Sequence, residues 1–160
     1  MIPHRLLELP AFEVIGKKGW IAGTDDSGAF GRFWEQCKVD GTLAKLEQAS
    51  GFQPGPQTKG RTLGISRTEH DPSNRAFFYM IAIEKPAGFE AEEMESYQVP
   101  ASHWAIFECR GKIPEAIIEA EMFAFMQWLP ASGFQHARAP EMEVYLEGYC
   151  EFWLPVELKS

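Results

Sequence analysis

Trp104-Ala-Ile-Phe-Glu-Cys-Arg-Gly-Lys-Ile-Pro114, followed by Gln127-Trp-Leu-Pro-Ala-Ser-Gly-Phe134 and Pro140-Glu-Met-Glu-Val-Tyr145, decides the fold. The three segments read as an apolar strand, a helix and a second strand. Pro114 suits the first turn of a helix, where its missing N–H is no loss. Glu115 and Glu119 then lie near the positive end of the helix dipole. Ile118, Met122, Phe125 and Leu129 recur at spacings of four, three and four, which predicts a stripe facing the core. Pro130 is expected to end the helix, and Gly133 to supply the flexible joint after it. In the second strand Glu143 and Tyr145 alternate with Met142 and Val144, so the acid and the phenol share one face. If Met142 and Val144 face the helices, Glu143 and Tyr145 face the other side of the sheet. Cys150 to Val156 is the closing strand, reached through a short turn at Glu147-Gly148.

The first half of the chain echoes the second. Leu9-Pro10-Ala11 leads into an apolar strand at Phe12 to Gly16, as Val99-Pro100-Ala101 leads into Trp104 to Phe107. A glycine-containing turn and a helix follow, with Phe30, Phe33, Trp34 and Cys37 on one face. Asp40-Gly41 interrupts that helix, a continuation carries Leu43 and Leu46, and Gly51 stops it. Residues 53–61, rich in Pro and Gly, form a loop. Leu63 to Arg67 is a short strand, Thr68 to Asn74 a polar turn, and Ala76 to Glu84 an aromatic and aliphatic strand. Lys85 to Ser96 is a polar, acidic linker. The order β-α-β-β occurs twice, in pseudo-repeats at about 1–85 and 97–158 of a single domain covering 1–160. The expected class is α+β, with six strands in one antiparallel sheet, two main helices on one face, and a ligand groove between the halves.

Composition narrows the function. The 160 residues are 45% hydrophobic and 24% charged, enough for one filled core. A net charge of -8 argues against a nucleic-acid surface, which needs clustered Lys and Arg. Cys37, Cys109 and Cys150 are odd in number and form no CxxC, so neither disulfides nor a zinc site is expected. The four histidines have no metal-ligand spacing, and no metal or other cofactor is called for. No phosphate loop, nucleophile elbow or Ser-His-Asp arrangement is present. Without a secretory h-region or an apolar run of membrane-spanning length, the chain is expected in the cytoplasm, off the membrane.

The candidate site residues follow from the strands. Glu143 is either a solvated carboxylate on an open sheet face or the acid of a pocket. Tyr145 is either its hydrogen-bond donor and a pocket wall or half of a surface pair. Trp104, Tyr79 and Trp153 lie in strands that should border the groove; each is a ligand-stacking ring or ordinary core. Glu151 is a second acid in the groove or an edge-strand charge that discourages aggregation. Trp34 and Trp128 sit on helices, where core packing is favoured.

Pro100-x-x-x-Trp104-Ala-Ile-Phe, the Trp128-Leu-Pro-x-Ser-Gly-Phe134 corner, the Glu143-x-Tyr145 strand and Cys150-Glu-Phe-Trp-Leu-Pro-Val156 together resemble the gyrase-inhibitor-like (GyrI-like) domain. This is also the effector-binding domain of AraC-type regulators. Leu63-Gly-Ile and Phe77-Phe-Tyr79-Met-Ile-Ala extend the resemblance into the first half, less specifically. The resemblance implies two βαββ repeats, a hydrophobic groove between them, and a buried glutamate that recognises lipophilic, often cationic, compounds. That glutamate is carried over to Glu143. The short connection from Tyr145 to Cys150 departs from many relatives and implies a more open site.

With no helix-turn-helix before or after it, the chain resembles the stand-alone members, which sequester toxic compounds or bind a protein partner. Some stand-alone members hydrolyse the strained cyclopropane of DNA-alkylating natural products inside an aromatic cage. Three readings result. The first is a receptor for lipophilic, cationic or planar aromatic molecules, active in xenobiotic sensing or sequestration. The second is a hydrolase with Glu143 as its catalytic base. The third is a protein-binding inhibitor module whose acidic linker, around Glu90 to Glu95, mimics nucleic acid.

Overall fold

The computed structural model describes residues 2–22, 28–51, 54–89 and 93–159. The strands are β1 (His4–Leu9), β2 (Phe12–Ile21), β3 (Thr62–Ser66), β4 (Phe77–Glu84), β5 (Glu95–Val99), β6 (Ser102–Cys109), β7 (Phe134–His136), β8 (Glu141–Tyr145) and β9 (Cys150–Leu158). The first half carries helices α1 (Gly28–Val39) and α2 (Thr42–Ser50). The second carries α3 (Glu115–Phe123), which runs through a π-helical segment at Ala124–Trp128 into a last turn, α4 (Leu129–Ser132). The break between α1 and α2 falls at Gly41, whose φ of 89° is left-handed and so favours glycine.

All pairings are antiparallel, in the order β1-β6-β9-β8-β3-β4-β2-β5, with β7 added alongside β9. Within that order β6-β9-β8 mirrors β2-β4-β3, so the two βαββ units meet where β8 pairs with β3. Gly64 lies opposite Glu143 at this seam, and Glu143 lies opposite Phe152.

Three strands exceed the six expected from the sequence. β1 and β5 extend the two units at the sheet's edges, beside β6 and β2. Their side chains are mostly exposed and polar or unpatterned, so backbone pairing rather than burial makes them strands. β7 is three residues pairing with the far end of β9. Residues 90–92 of the acidic linker, 52–53 of the first loop and 23–27 after β2 lie outside the described residues.

Both faces of the sheet are buried. On one, Ile15, Tyr79, Ile81 and Ile83 pack under α1 and α2, while Phe107, Phe152 and Leu154 pack under α3. On the other, Leu63, Ile65, Trp104, Ile106, Met142, Val144 and Trp153 join Phe12 and Val99 in a cluster to which, among the described residues, no helix contributes. The sheet therefore curls over this face and closes it with its own side chains. Met142 and Val144 thus point away from the helices, and Glu143 and Tyr145 point toward them. This reverses the orientation on which the sequence reading rested.

The stripe on α3 also differs. Ile118 and Met122 are 39% and 55% exposed, whereas Ala116, Ile117, Ala120 and Ala124 are buried. Small residues face β6 and β9 because the helix lies close on them. Pro130 does not stop the helix, which continues to Ser132. The Leu129 N–H already bonds to the Ala124 carbonyl in the wider π turn, and this eases the clash a proline ring makes with the preceding turn. No helix among the described residues is long and apolar enough to cross a membrane.

Candidate functional site

The helices leave a gap above the seam between the two units, and a cavity of about 280 Å³ fills it. Its floor is the helix face of β8 and β3. At Gly64 a Cβ would stand 2.2 Å from the Tyr79 hydroxyl and 2.7 Å from Glu143 Oε1, so only glycine leaves room for both. The Tyr79 and Tyr145 hydroxyls both donate to Glu143 Oε1, at 2.8 Å and 2.6 Å. Trp34 Nε1 in turn donates to the Tyr79 hydroxyl at 3.0 Å. Oε2 of Glu143 has no protein donor among the described residues, and no lysine, arginine or histidine pairs with this carboxylate there. Phe30 and Trp34 on α1, Phe77 at the start of β4, Tyr145, and Ile117 and Ile118 on α3 give the cavity apolar and aromatic walls. The Trp34 and Tyr145 rings meet edge to face at 4.9 Å.

Among the described residues three carboxyl groups line the cavity, in three different states. Glu141, two residues before Glu143 on the same face, is paired with basic side chains. His136 Nε2 lies 2.8 Å and Arg75 Nη2 3.1 Å from its Oε2. Burial alone would push its pKa up, but these two partners outweigh burial and hold it below the usual carboxylate value. At Glu143, burial raises the pKa, the two tyrosine hydroxyls pull it partly back, and the charge on Glu141 adds to the rise. Glu121, from α3, has no hydrogen-bond partner among the described residues. Its pKa is pushed up to about 8 by burial first, then by the charges on Glu143 and Glu141, with Arg75 opposing. Burial and the same carboxylate also push the Tyr79 and Tyr145 hydroxyls far up, which keeps both as donors.

Of the residues singled out in the sequence, the structure brings Glu143, Tyr145 and Tyr79 together. Glu143 and Tyr145 line the cavity; Tyr79 is fully buried beneath it and is linked to it through Glu143 and Trp34. Trp104, Trp153 and Glu151 do not belong to this site. They project from the opposite sheet face, where the two indole rings sit 5.6 Å apart in the closed cluster. There Glu151 accepts hydrogen bonds from Arg5 at 2.8 Å and Trp153 Nε1 at 3.2 Å, so it is neither a groove acid nor an edge charge. Trp34, expected to be core, both packs and lines the cavity. The sequence reading passed over Glu141, Glu121 and Arg75. Alternation along Glu141-x-Glu143-x-Tyr145 marks the first, and helical spacing from Ile117 and Ile118 to Glu121 marks the second.

Among the described residues no group of His, Cys, Asp and Glu is arranged to hold a metal ion. A family model for the GyrI-like small molecule binding domain matches residues 3–157. Among solved structures, one described as a bacterial transcription regulation protein from Staphylococcus aureus MU50 is 23% identical. It covers 98% of this chain and 99% of its own at a TM-score of 0.75. SAV2435 bound to tetraphenylphosphonium is 22% identical, with coverage of 97% and 94% and a TM-score of 0.78. A hydrolase encoded by lin2189 from Listeria innocua is 12% identical, with coverage of 96% and 91% and a TM-score of 0.54. At these identities the structural likenesses show the fold. No curated protein sequence matches the chain.

Proposed function

This chain belongs to the GyrI-like small-molecule-binding family, and on that premise we propose that its cavity takes up lipophilic cations, for sensing or sequestration of foreign compounds. One observation carries the reading. Glu143 presents an oxygen with no protein partner to a cavity walled by Phe30, Trp34, Phe77 and Tyr145, and no cationic side chain answers it among the described residues. A carboxylate so placed lowers its free energy by meeting a cation, and the two tyrosines fix it for that encounter without consuming its second oxygen. Apolar contact supplies most of the affinity at roughly 25 cal/mol per Å² of buried apolar surface. A cation over the rings adds about 0.5–2 kcal/mol. The charge on Glu143 supplies selectivity. That the relative SAV2435 was solved with tetraphenylphosphonium supports the choice of probe.

The test compares tetraphenylphosphonium with a neutral planar aromatic compound of similar size by calorimetry. Glu143→Gln should weaken the cation by about tenfold or more, equivalent to about 1.4 kcal/mol, and the neutral compound by less than about twofold. Equal weakening of both would refute the anchor role.

A hydrolytic reading has one point in its favour. Glu121 and Glu143 turn unpartnered carboxyl oxygens toward one cavity, as acid–base chemistry requires. Turnover of an electrophilic, strained-ring compound that Glu143→Gln abolishes would replace the receptor reading with this one.

A further inference from the structure

Glu121 is the polar group of the cavity that the receptor reading leaves unexplained. It lies on α3 and lines the cavity, and each of the other described acids there has its own arrangement. Glu141 is closed off by His136 and Arg75, at 2.8 Å and 3.1 Å. Glu143 is held through one oxygen by Tyr79 and Tyr145. Among the described residues Glu121 has neither, and it lines the same cavity as Glu143.

We propose that Glu121 and Glu143 share a proton in the free cavity, and that an incoming cation displaces it to solvent, so that capture is a cation-for-proton exchange. The inference rests on the cation-binding reading above. Among the described residues, the charged and titratable groups facing the pair are Glu141 and Tyr145 from β8, Arg75 ahead of β4, Tyr79 from β4, and His136 from β7 behind Glu141. From α1 and β2 the cavity takes Phe30, Trp34 and Ile21. With Glu141 already paired to Arg75 and His136, two further carboxylates would otherwise confront each other in one cavity, and a single proton removes that repulsion. Raised proton affinity at both groups agrees with this. Without a ligand the cavity is then less negative than the three acids described there imply. A cation enters as the proton leaves, and a neutral compound of the same shape exchanges nothing. Glu121 is thereby the residue that separates charged from uncharged ligands as a function of pH.

The experiment is tetraphenylphosphonium calorimetry in two buffers of different ionisation enthalpy, run on the full chain and on Glu121→Gln. The wild-type protein should release close to one proton per cation near pH 7. Its affinity should rise by up to about tenfold per pH unit and level off above about pH 8. In E121Q the release should fall below about half a proton and the pH dependence flatten. A carbon-detected titration of the glutamate carboxyls in the free protein gives a ligand-independent readout: the Glu121 midpoint should fall when Glu143 is replaced by Gln. Binding without proton release, equal release in E121Q, or a Glu121 midpoint indifferent to E143Q overturns the proposal while leaving the receptor reading intact. Absence of tetraphenylphosphonium binding at every pH overturns both.

Discussion

Gly64→Ala adds a single methyl at the seam of the two units, and the geometry fixes what it meets. The new Cβ would sit 2.2 Å from the Tyr79 hydroxyl, 2.7 Å from Glu143 Oε1 and 3.0 Å from Tyr79 Cζ. Tyr79 cannot withdraw. Its ring has no exposed surface, and it is held edge-on by Phe30 at 4.9 Å and Phe33 at 6.2 Å. Glu143 can move only by giving up the hydroxyls of Tyr79 and Tyr145. Overpacking of this kind costs about 1–3 kcal/mol, and loss of a hydrogen bond to a charged group about 1.5–3 kcal/mol. Reduced freedom of the unfolded chain returns about 0.4–1 kcal/mol. The net expectation is a loss of about 2–4 kcal/mol, or roughly 4–16 °C in melting temperature for a chain of this size. Urea and thermal unfolding measure it directly. The mechanism is tested by repeating the substitution in a Tyr79→Phe background. There the nearest obstacle is gone, and the alanine should cost at least about 1 kcal/mol less. A cost below about 0.5 kcal/mol in the wild-type background, or an equal cost in both backgrounds, would refute the argument.

Other perturbations probe other parts of the fold. Glu84→Ala should destabilise the chain by about 2–4 kcal/mol. That carboxylate accepts hydrogen bonds from the Gln57 and Thr58 amides, at 3.2 Å and 2.7 Å, and from the Thr58 hydroxyl. Faster amide exchange at residues 57 and 58 would be the signature. Trp34→Phe keeps an aromatic wall but removes the donor to Tyr79, so unfolding should show a loss of about 0.5–1.5 kcal/mol. Glu121 binds its proton more tightly in the folded state, with a pKa near 8 against an ordinary 4.5, so its contribution to stability falls as pH rises through that window. Glu121→Gln should accordingly raise the melting temperature at about pH 9 and change it little at about pH 5; the reverse order would contradict the assignment.

Much of this was legible in the chain. The two βαββ units are local patterns: period-two strands, period-3.6 helices and the Asp40-Gly41 break each depend on neighbours a few residues away. The pairing of Glu143 with Tyr145 on one face is likewise forced by strand alternation. Half of the helix stripe held: Phe125 and Leu129 pack against the core, whereas hydrophobic weight also pointed to Ile118 and Met122, and close packing on β6 and β9 selected the alanines there.

Strand alternation says which residues share a face and cannot say which face meets a helix. Here that limit matters, because a curled sheet buries both faces with apolar side chains. Trp104 and Trp153 were therefore expected at the groove and Trp34 in the core, whereas the curl encloses the first two and the gap between α1 and α3 exposes the third to the cavity. The sequence by itself determined the repeated unit and the partnership of an acid with a phenol on one strand face. Only the tertiary structure decided that Glu121 joins Glu143, because these residues lie on separate elements, and only the packing of the helices over the seam brings their carboxyl groups to one cavity.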